Sequence, residues 1–579
     1  MRQIPQQGVL RQNNYGDIGG DIVESFNLDL IDNIGAIRAT RMKEVTNSTT
    51  QTDLALPVWI GFYNDEYVLV TASFLYRGGA NPSDPFTKDT RGTELSEAVE
   101  SLSDGEIFNN CLYVSASDSI WKLNGSTWSK PITTQLTAAR PHLLKAFGQN
   151  SNARLYVTDE FYKVHSVTTG DAISATGSYT FDPGLSNDWT ITMLEAAENA
   201  LFIGYLNTST GKGLVYEWDG VTENIYNRRF ELDAGPAAGV VLNNVPYIMD
   251  IRGRLLQSNG SQFVEIDRLF LKEDYNLINA NSGTNLRFIH PNGMTATDEN
   301  TILILVDNEQ EQQLGFEDTV PAGIYEWHPE LGLYHKYSFS TSPVGGVTTP
   351  DYGQRRVAQG GAIYYKRPAV PTAAGNGTLL AGARVYTNST TTRFGVFTND
   401  TLDTTPKLGS FITSWFQSDA VSDTWQKVYG MYKDFLTAGN KIVVKYRTRE
   451  VTPVVATCAW LNSTQFNTTT DISDFQVGDE VTIIEGEGAG TPLTITAISS
   501  SSSTYSITVE ENPTSADAAF TGLFRNYRKI GSMNKEQLEM LTISKDNVSP
   551  RCQFKVDMYF TGPQELHRLR IINKPHITE

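Results

Sequence analysis

The sequence predicts an all-β protein: a β-propeller of about seven blades followed by a β-sandwich that carries a small inserted β-barrel-like domain. Three observations predict it. Helical periodicity is nearly absent, with residues 94–101 and 532–540 as the best short candidates. Runs of four to eight residues rich in Val, Ile, Thr, Tyr, Phe and Trp recur along the chain, broken by Gly, Asn, Asp and Ser pairs, as strands and turns require. One phrase also repeats: an apolar strand, then a short strand bearing an aromatic, then a tight turn.

The phrase is clearest as Leu112-Tyr-Val…Ile120-Trp121-Lys-Leu-Asn124-Gly125, Leu201-Phe-Ile…Val215-Tyr216-Glu-Trp218-Asp219-Gly220 and Ile302-Leu-Ile…Ile324-Tyr325-Glu-Trp327. Weaker copies surround Tyr76, His165, Gln257 and Tyr365. Successive anchors at 76, 121, 165, 218, 257, 327 and 365 are separated by about 45, 44, 53, 39, 70 and 38 residues. A four-stranded blade takes about 40–50 residues, whereas a regular solenoid holds its period more tightly. Each phrase supplies an inner strand apolar on both faces and a hairpin whose aromatic packs against the next blade. The propeller is expected over residues 51–400, after an extended N-terminal segment, residues 1–50.

Beyond residue 400 the texture changes. Ser410–Phe416, Trp425–Tyr432 and Lys441–Arg449 read as strands, and strand texture resumes around Leu541, Cys552–Phe560 and Leu566–Ile572. Between them, residues 451–524 form a distinct run of short strands and hairpin turns. The expectation is a sandwich built from 401–450 and 525–579, with a four- or five-stranded insert in one loop, where insertions are tolerated.

Composition bounds the function. The chain has 579 residues, a net charge of −19 and 19% charged residues, with 26 Tyr, 26 Phe, 9 Trp and 47 Gly. With 40% apolar residues, disorder is excluded. An acidic balance argues against general nucleic-acid binding. Three distant cysteines, Cys111, Cys458 and Cys552, exclude a disulfide scaffold and read as small buried hydrophobes in a reducing compartment. No run of 18 apolar residues spans a membrane, and no secretory signal is visible. About ten Asn-x-Ser/Thr triplets, including those at Asn47, Asn388 and Asn462, follow from the abundance of Asn, Ser and Thr.

The chemistry-bearing motifs resolve into structural ones. Gly486-Glu-Gly-Ala-Gly490 precedes the strand Leu493-Thr-Ile-Thr, not the helix that a dinucleotide loop needs. Gly211-Lys212-Gly213 lacks the remaining residues of a phosphate-cradling loop. His328 and His335 flank a turn and have no cysteine nearby to complete a metal site. Ser115-Ala-Ser-Asp118-Ser-Ile-Trp121 lacks the Gly and the spacing of a sialidase-like repeat, and carboxylate pairs show no catalytic pattern. No catalytic, cofactor-binding or metal-binding residues are assigned, and the chain is not expected to be an enzyme. Two surface features remain. Trp415 and Trp425 are candidates for a glycan platform, against the simpler role of cross-strand aromatic pairs. Arg525, Arg528, Lys529, Arg551, Arg568, Arg570 and Lys574 make the C-terminal region locally basic and are candidates for an interface with an acidic neighbour, against an ordinary solvated face.

Three segments carry a resemblance. Asn14-Tyr-Gly-Asp-Ile-Gly-Gly-Asp-Ile-Val-Glu-Ser-Phe-Asn-Leu-Asp-Leu30 with Gly35-Ala-Ile-Arg-Ala-Thr-Arg-Met-Lys43 resembles the opening of tailed-bacteriophage virion proteins. Asp474-Phe-Gln-Val-Gly-Asp-Glu-Val-Thr-Ile-Ile-Glu-Gly-Glu-Gly-Ala-Gly490 is similar to a module inserted in phage tail and tail-hub proteins, and Trp425–Lys433 with Lys441–Arg449 resembles the sandwich around it. The resemblance covers roughly a quarter of the chain. It implies a non-enzymatic virion component assembled in the bacterial cytoplasm, in first place a tail nozzle or hub protein or a tail-tube-end protein that forms a ring of copies around the DNA channel, with a hexamer favoured. Its partners would be other tail proteins, and DNA would pass without specific binding. A receptor- or glycan-binding tail-tip module is the alternative, and a glycan-degrading propeller enzyme the third.

Overall fold

A computed structural model describes residues 2–3, 22–26, 28–29, 38–39, 42–45, 55–89, 102–269 (without 134, 138–140, 149–152, 169 and 175–176), 289–306, 323–340, 354–355, 357–368, 377–386, 392–399, 407–413, 415–417, 424–433, 440–485, 491–511 (without 502), 519–534, 538–543, 551–560 and 565–574. No α-helix occurs among the described residues. The helix candidate at 532–540 is replaced by the strands Arg528–Met533 and Leu538–Thr542. Ile530, Met533 and Leu541 there pack into one apolar cluster, and sheet burial overrides helical propensity. The candidate at 94–101 lies outside the described residues.

Among the described residues, seven four-stranded antiparallel sheets occupy the first two thirds of the chain. Their innermost strands are Pro57–Tyr63, Asp104–Phe108, Leu144–Phe147, Trp189–Ala196, Pro236–Leu242, Met294–Ala296 and Val357–Lys366. Each innermost strand touches the next, and the seventh touches the first, so the sheets close into a ring: the chain is a β-propeller. Three first hairpins turn on residue pairs with positive φ, Asn64-Asp65, Asn109-Asn110 and Asn243-Asn244, whose backbone twist matches that of the strands they join.

Every joint between neighbouring sheets has its own apolar cluster. Val68, Leu112 and Trp121 join the first and second sheets. Tyr156, Phe181, Leu201 and Trp218 join the third and fourth. Ile60, Leu69, Leu380 and Val396 join the seventh and first. The continuous apolar runs read from the sequence as inner strands are the second strands, such as Leu201–Asn207, in which every residue is buried. Sheets cover a second strand on both faces, whereas the innermost strand borders the axis and in the second, third and fourth sheets carries charged residues.

The recurring anchor positions fall on third strands in six sheets: Tyr76, Trp121, His165, Trp218, Gln257 and Trp327. The seventh, Tyr365, lies instead on an innermost strand, Val357–Lys366. The seventh sheet departs from the pattern because its outermost strand, Lys43–Glu44, comes from the N-terminal segment and pairs with Thr392–Thr398. The segment expected to precede the propeller thus completes it. Met42 N–H donates to the Ser338 carbonyl at 2.8 Å, and Val45 N–H donates to that of Val396 at 2.9 Å. The closure is tight: a Cβ on Gly361 would lie 2.2 Å from the Pro57 carbonyl oxygen. Buried Glu44 receives Arg393 in an ion pair. Replacing Glu44 with Ala leaves that guanidinium without its carboxylate, and calorimetry should show the propeller losing about 1–3 kcal/mol.

Two further sheets form a C-terminal unit. The larger orders Ile22–Phe26, Lys407–Thr413, Arg551–Phe560, Lys441–Arg447 and Arg528–Met533. The smaller orders Arg2–Gln3, Glu565–Lys574, Thr424–Lys433 and Leu538–Thr542. They share a core in which Phe411, Ile442, Val444, Phe554, Val556 and Met558 of the larger sheet meet Val428 and Leu566 of the smaller. Between Arg447 and Arg528 the chain leaves to build a closed six-stranded barrel spanning Val454–Arg525, two or one strands more than the sequence suggested. Phe466, Ile483, Leu493, Ile507 and Phe524 fill its interior.

Candidate functional site

Charged side chains converge in two places. The first is the propeller axis. Asp104, on the innermost strand of the second sheet, accepts N–H bonds from Gly105 and Leu144, both at 2.8 Å. It also accepts from Asn292 Nδ2 at 2.6 Å. Asn292 precedes the innermost strand of the sixth sheet, donates to the Val58 carbonyl at 2.8 Å and accepts from Ile363 N–H at 2.9 Å. One residue thus links the sixth, seventh, first and second sheets through their innermost strands. Farther along the axis, Lys145 and Glu195 on the third and fourth sheets pair at 2.7 Å, close to Glu106 on the second.

Burial pushes the Asp104 carboxyl up to about 7, against the pull of its three donors. Burial also raises Glu106 to about 7; Lys145 opposes this and Glu195 adds to it. A carboxyl raised on folding binds its proton more tightly in the native than in the unfolded state, where the value is about 4. Stability therefore falls as pH rises from about 4 to about 7, and the loss is complete above the folded value. The urea midpoint of the propeller should drop between pH 5 and pH 8, and Asp104→Asn should remove part of that slope.

The second place is the seam between the barrel and the larger C-terminal sheet. On the sheet face turned away from the shared core, Lys445 and Lys555 stand directly opposite on adjacent strands, with Asp557 two residues farther along. Like charges opposite one another destabilise a sheet unless something lies between them. Glu480 of the barrel strand Glu480–Glu485 does so, in contact with both ammonium groups. Lys445 Nζ also lies 2.8 Å from Asp557 Oδ2, and Lys555 Nζ lies 3.6 Å from Asp557 Oδ1. Thr482 Oγ1 donates to Glu480 Oε1 at 3.0 Å. All four charged residues are buried. Burial disfavours the Glu480 charge, but Lys445 and Lys555 outweigh it and hold the carboxyl well below the usual carboxylate range. Burial likewise disfavours charge on Lys445, and Asp557 and Glu480 reverse this and hold its ammonium well above the usual value. Beside this cluster a polar cleft is lined by Arg447, Arg449, Asp479, Asn526 and Arg528.

The candidate basic interface divides among separate surfaces. Arg525 ends the barrel, Arg528, Lys529 and Arg551 lie on the larger sheet, and Arg568, Arg570 and Lys574 lie on the last strand of the smaller one. Arg528 and Lys529 face barrel carboxylates, Asp479 at 3.5 Å and Glu510 at 2.7 Å, so they bind the insert to its host. Trp415 and Trp425 do not share a sheet. Trp415 adjoins the larger sheet with the Arg447 and Arg551 guanidiniums over its ring at 5.3 and 4.6 Å, while Trp425 belongs to the smaller sheet.

His328 and His335 are not cross-strand partners: His328 pairs with Gly332, and His335 is buried opposite Tyr325. No group of three metal-ligating side chains occurs among the described residues. The three cysteines are buried and unpaired, and burial pushes the Cys458 thiol up to about 12 and that of Cys552 well above its usual value. No helix among the described residues is long and apolar enough to cross a membrane. The loop at 486–490 lies outside the described residues. Sequence reasoning missed Asn292 and the seam cluster. The one available signal for the latter was a Lys or Asp recurring between aliphatics in Lys441–Arg447 and Arg551–Phe560, which ordinarily marks a solvated face.

The fold defines a β-propeller protein with a two-sheet C-terminal unit and an inserted barrel. No known family profile and no curated protein matches the chain. Among solved structures, the extracellular domain of the putative one component system BT4673 from B. thetaiotaomicron is 11% identical with a TM-score of 0.37. The match covers 74% of this chain and 46% of that one, so the chain spans under half of that structure's length. The structure of S. cerevisiae dbp5 bound to nup159 and gle1 is 9% identical over 66% of this chain and 97% of the matched chain, with a TM-score of 0.34. BBS1N in complex with ARL6DN is 12% identical over 62% of this chain and 97% of that one, with a TM-score of 0.35.

Proposed function

We propose that this chain is a structural component of a tailed-bacteriophage virion, a tail nozzle or hub protein that assembles into a ring of copies around the DNA channel. The observation that carries the reading is where the segments resembling virion proteins lie. The N-terminal one supplies Ile22–Phe26 to the larger C-terminal sheet and Lys43–Glu44 to the seventh propeller sheet. The others form the barrel strand Glu480–Glu485 and the strands Thr424–Lys433 and Lys441–Arg447 around the insertion. A chain stitched at its start into both of its large units suits a rigid building block. Buried, unpaired cysteines suit assembly in a reducing cytoplasm.

The net charge of −19 then has a role. A channel wall of negative charge repels the phosphate backbone and lets DNA slide without adhering. Closed rings repeat one heterologous contact, and six copies is the favoured number. Native mass spectrometry and electron microscopy of the purified protein should show closed rings that retain no DNA at physiological salt. A chain that stays monomeric at high concentration and in the presence of its neighbouring tail proteins overturns the ring, and salt-sensitive DNA binding overturns the repulsive channel.

A further inference from the structure

We propose that Lys445 and Asp557 condense into an intramolecular isopeptide bond, with Glu480 as proton carrier and Lys555 as oxyanion stabiliser. The inference stands on the geometry of the seam. Lys445 Nζ lies 2.8 Å from Asp557 Oδ2, which brings the amine within reach of Cγ. Apart from the two ammonium groups, neither carboxylate oxygen of Asp557 has a hydrogen-bond partner among the described residues. Glu480 touches Lys445 Nζ, and Lys555 Nζ sits 3.6 Å from the other Asp557 oxygen. Barrel and sheet together keep all four side chains from water, and exclusion of water removes the competing hydrolysis.

The chemistry balances without a co-reactant. In the resting cluster both lysines are protonated and both acids ionised, so the reaction starts from the minor state in which one proton has passed from Lys445 Nζ to Asp557 Oδ2. That transfer turns an ion pair into a neutral amine and a neutral carboxylic acid, and it is cheapest where the dielectric is low. The nitrogen lone pair attacks Cγ, and the carbonyl electrons move to Oδ1, opposite the Lys555 ammonium. Glu480 takes the surplus proton from the attacking nitrogen and passes it to the departing hydroxyl. The C–O bond breaks, water leaves, and an amide joins two neighbouring strands of the larger sheet. Glu480 then keeps Lys555 as its partner, and the seam remains neutral.

Mass spectrometry of the denatured full chain tests this. The intact mass should fall one water below the sequence mass, and digestion should yield a branched peptide joining Lys445 to Asp557. Lys445→Arg, which keeps the charge but removes the nucleophile, should restore the full mass, with circular dichroism confirming the fold. Glu480→Gln should accumulate the unlinked form. The wild-type mass alone is decisive: a full sequence mass overturns the proposal. So does a missing water found in a linear peptide, as in an aspartyl succinimide, or a link that runs from Lys555 instead.

Discussion

Replacing Glu480 with Gln should destabilise the C-terminal unit and its barrel by about 3–5 kcal/mol, the cost of removing one partner from a buried charge cluster. Glu480 contacts both Lys445 and Lys555, and in the unlinked form that Glu480→Gln leaves, Asp557 by itself cannot neutralise two buried ammonium groups. The charge-balanced double variant Glu480→Gln, Lys555→Met should recover much of the loss, because it leaves a single Lys445–Asp557 pair. Urea unfolding followed by tryptophan fluorescence measures both, with the C-terminal transition read separately because several units unfold in this chain. A Glu480→Gln loss below about 1 kcal/mol is what an exposed pair gives, and it would show that the seam is open to water. Acid offers a second view. In the unlinked cluster the two lysines hold Glu480 depressed, so its contribution is present at neutral pH and is lost only as pH falls below the ordinary carboxylate range through the folded value.

Trp218→Ala should cost the propeller about 3–5 kcal/mol. Trp218 is fully buried on the third strand of the fourth sheet, with its ring edge-on to Tyr156 at 5.6 Å and beside Phe181 at 5.4 Å, both from the third sheet. Its Nε1–H donates to the Thr222 carbonyl at 2.8 Å, so truncation opens a cavity between two sheets and strips an acceptor of its donor. Trp218→Phe keeps an aromatic in the joint and should cost less than half as much. Thermal unfolding should show the propeller transition move while the C-terminal one stays in place. Movement of both would mean that the ring and the C-terminal unit unfold as one.

How far each feature was legible follows from the range over which it is encoded. Third-strand aromatics such as Trp121, Trp218 and Trp327 recur because each must fill the joint to a neighbouring sheet, and six of the seven anchors mark that position. The seventh misleads because Lys43–Glu44 reaches its sheet across more than three hundred residues, and two residues carry no periodic signal. The barrel insert was visible as a change of texture, but its strand count depends on pairings such as that of Val454–Asn462 with Ala519–Arg525, which no local pattern states.

The seam shows the limit most plainly. In Lys441–Arg447 and Arg551–Phe560 the alternation of apolar and polar residues was readable, and Ile442, Val444, Phe554 and Val556 do face the shared core. Alternation gives the face on which Lys445, Lys555 and Asp557 lie, not what covers that face. The sequence by itself determined the all-β class and the propeller, because strand patterning and turn chemistry are local. Only the tertiary structure decided that the ring is closed by the chain's own N-terminal strand and that four charges are buried together. Both depend on contacts between residues far apart in the chain, where burial and charge neutralisation, not local propensity, select the partner.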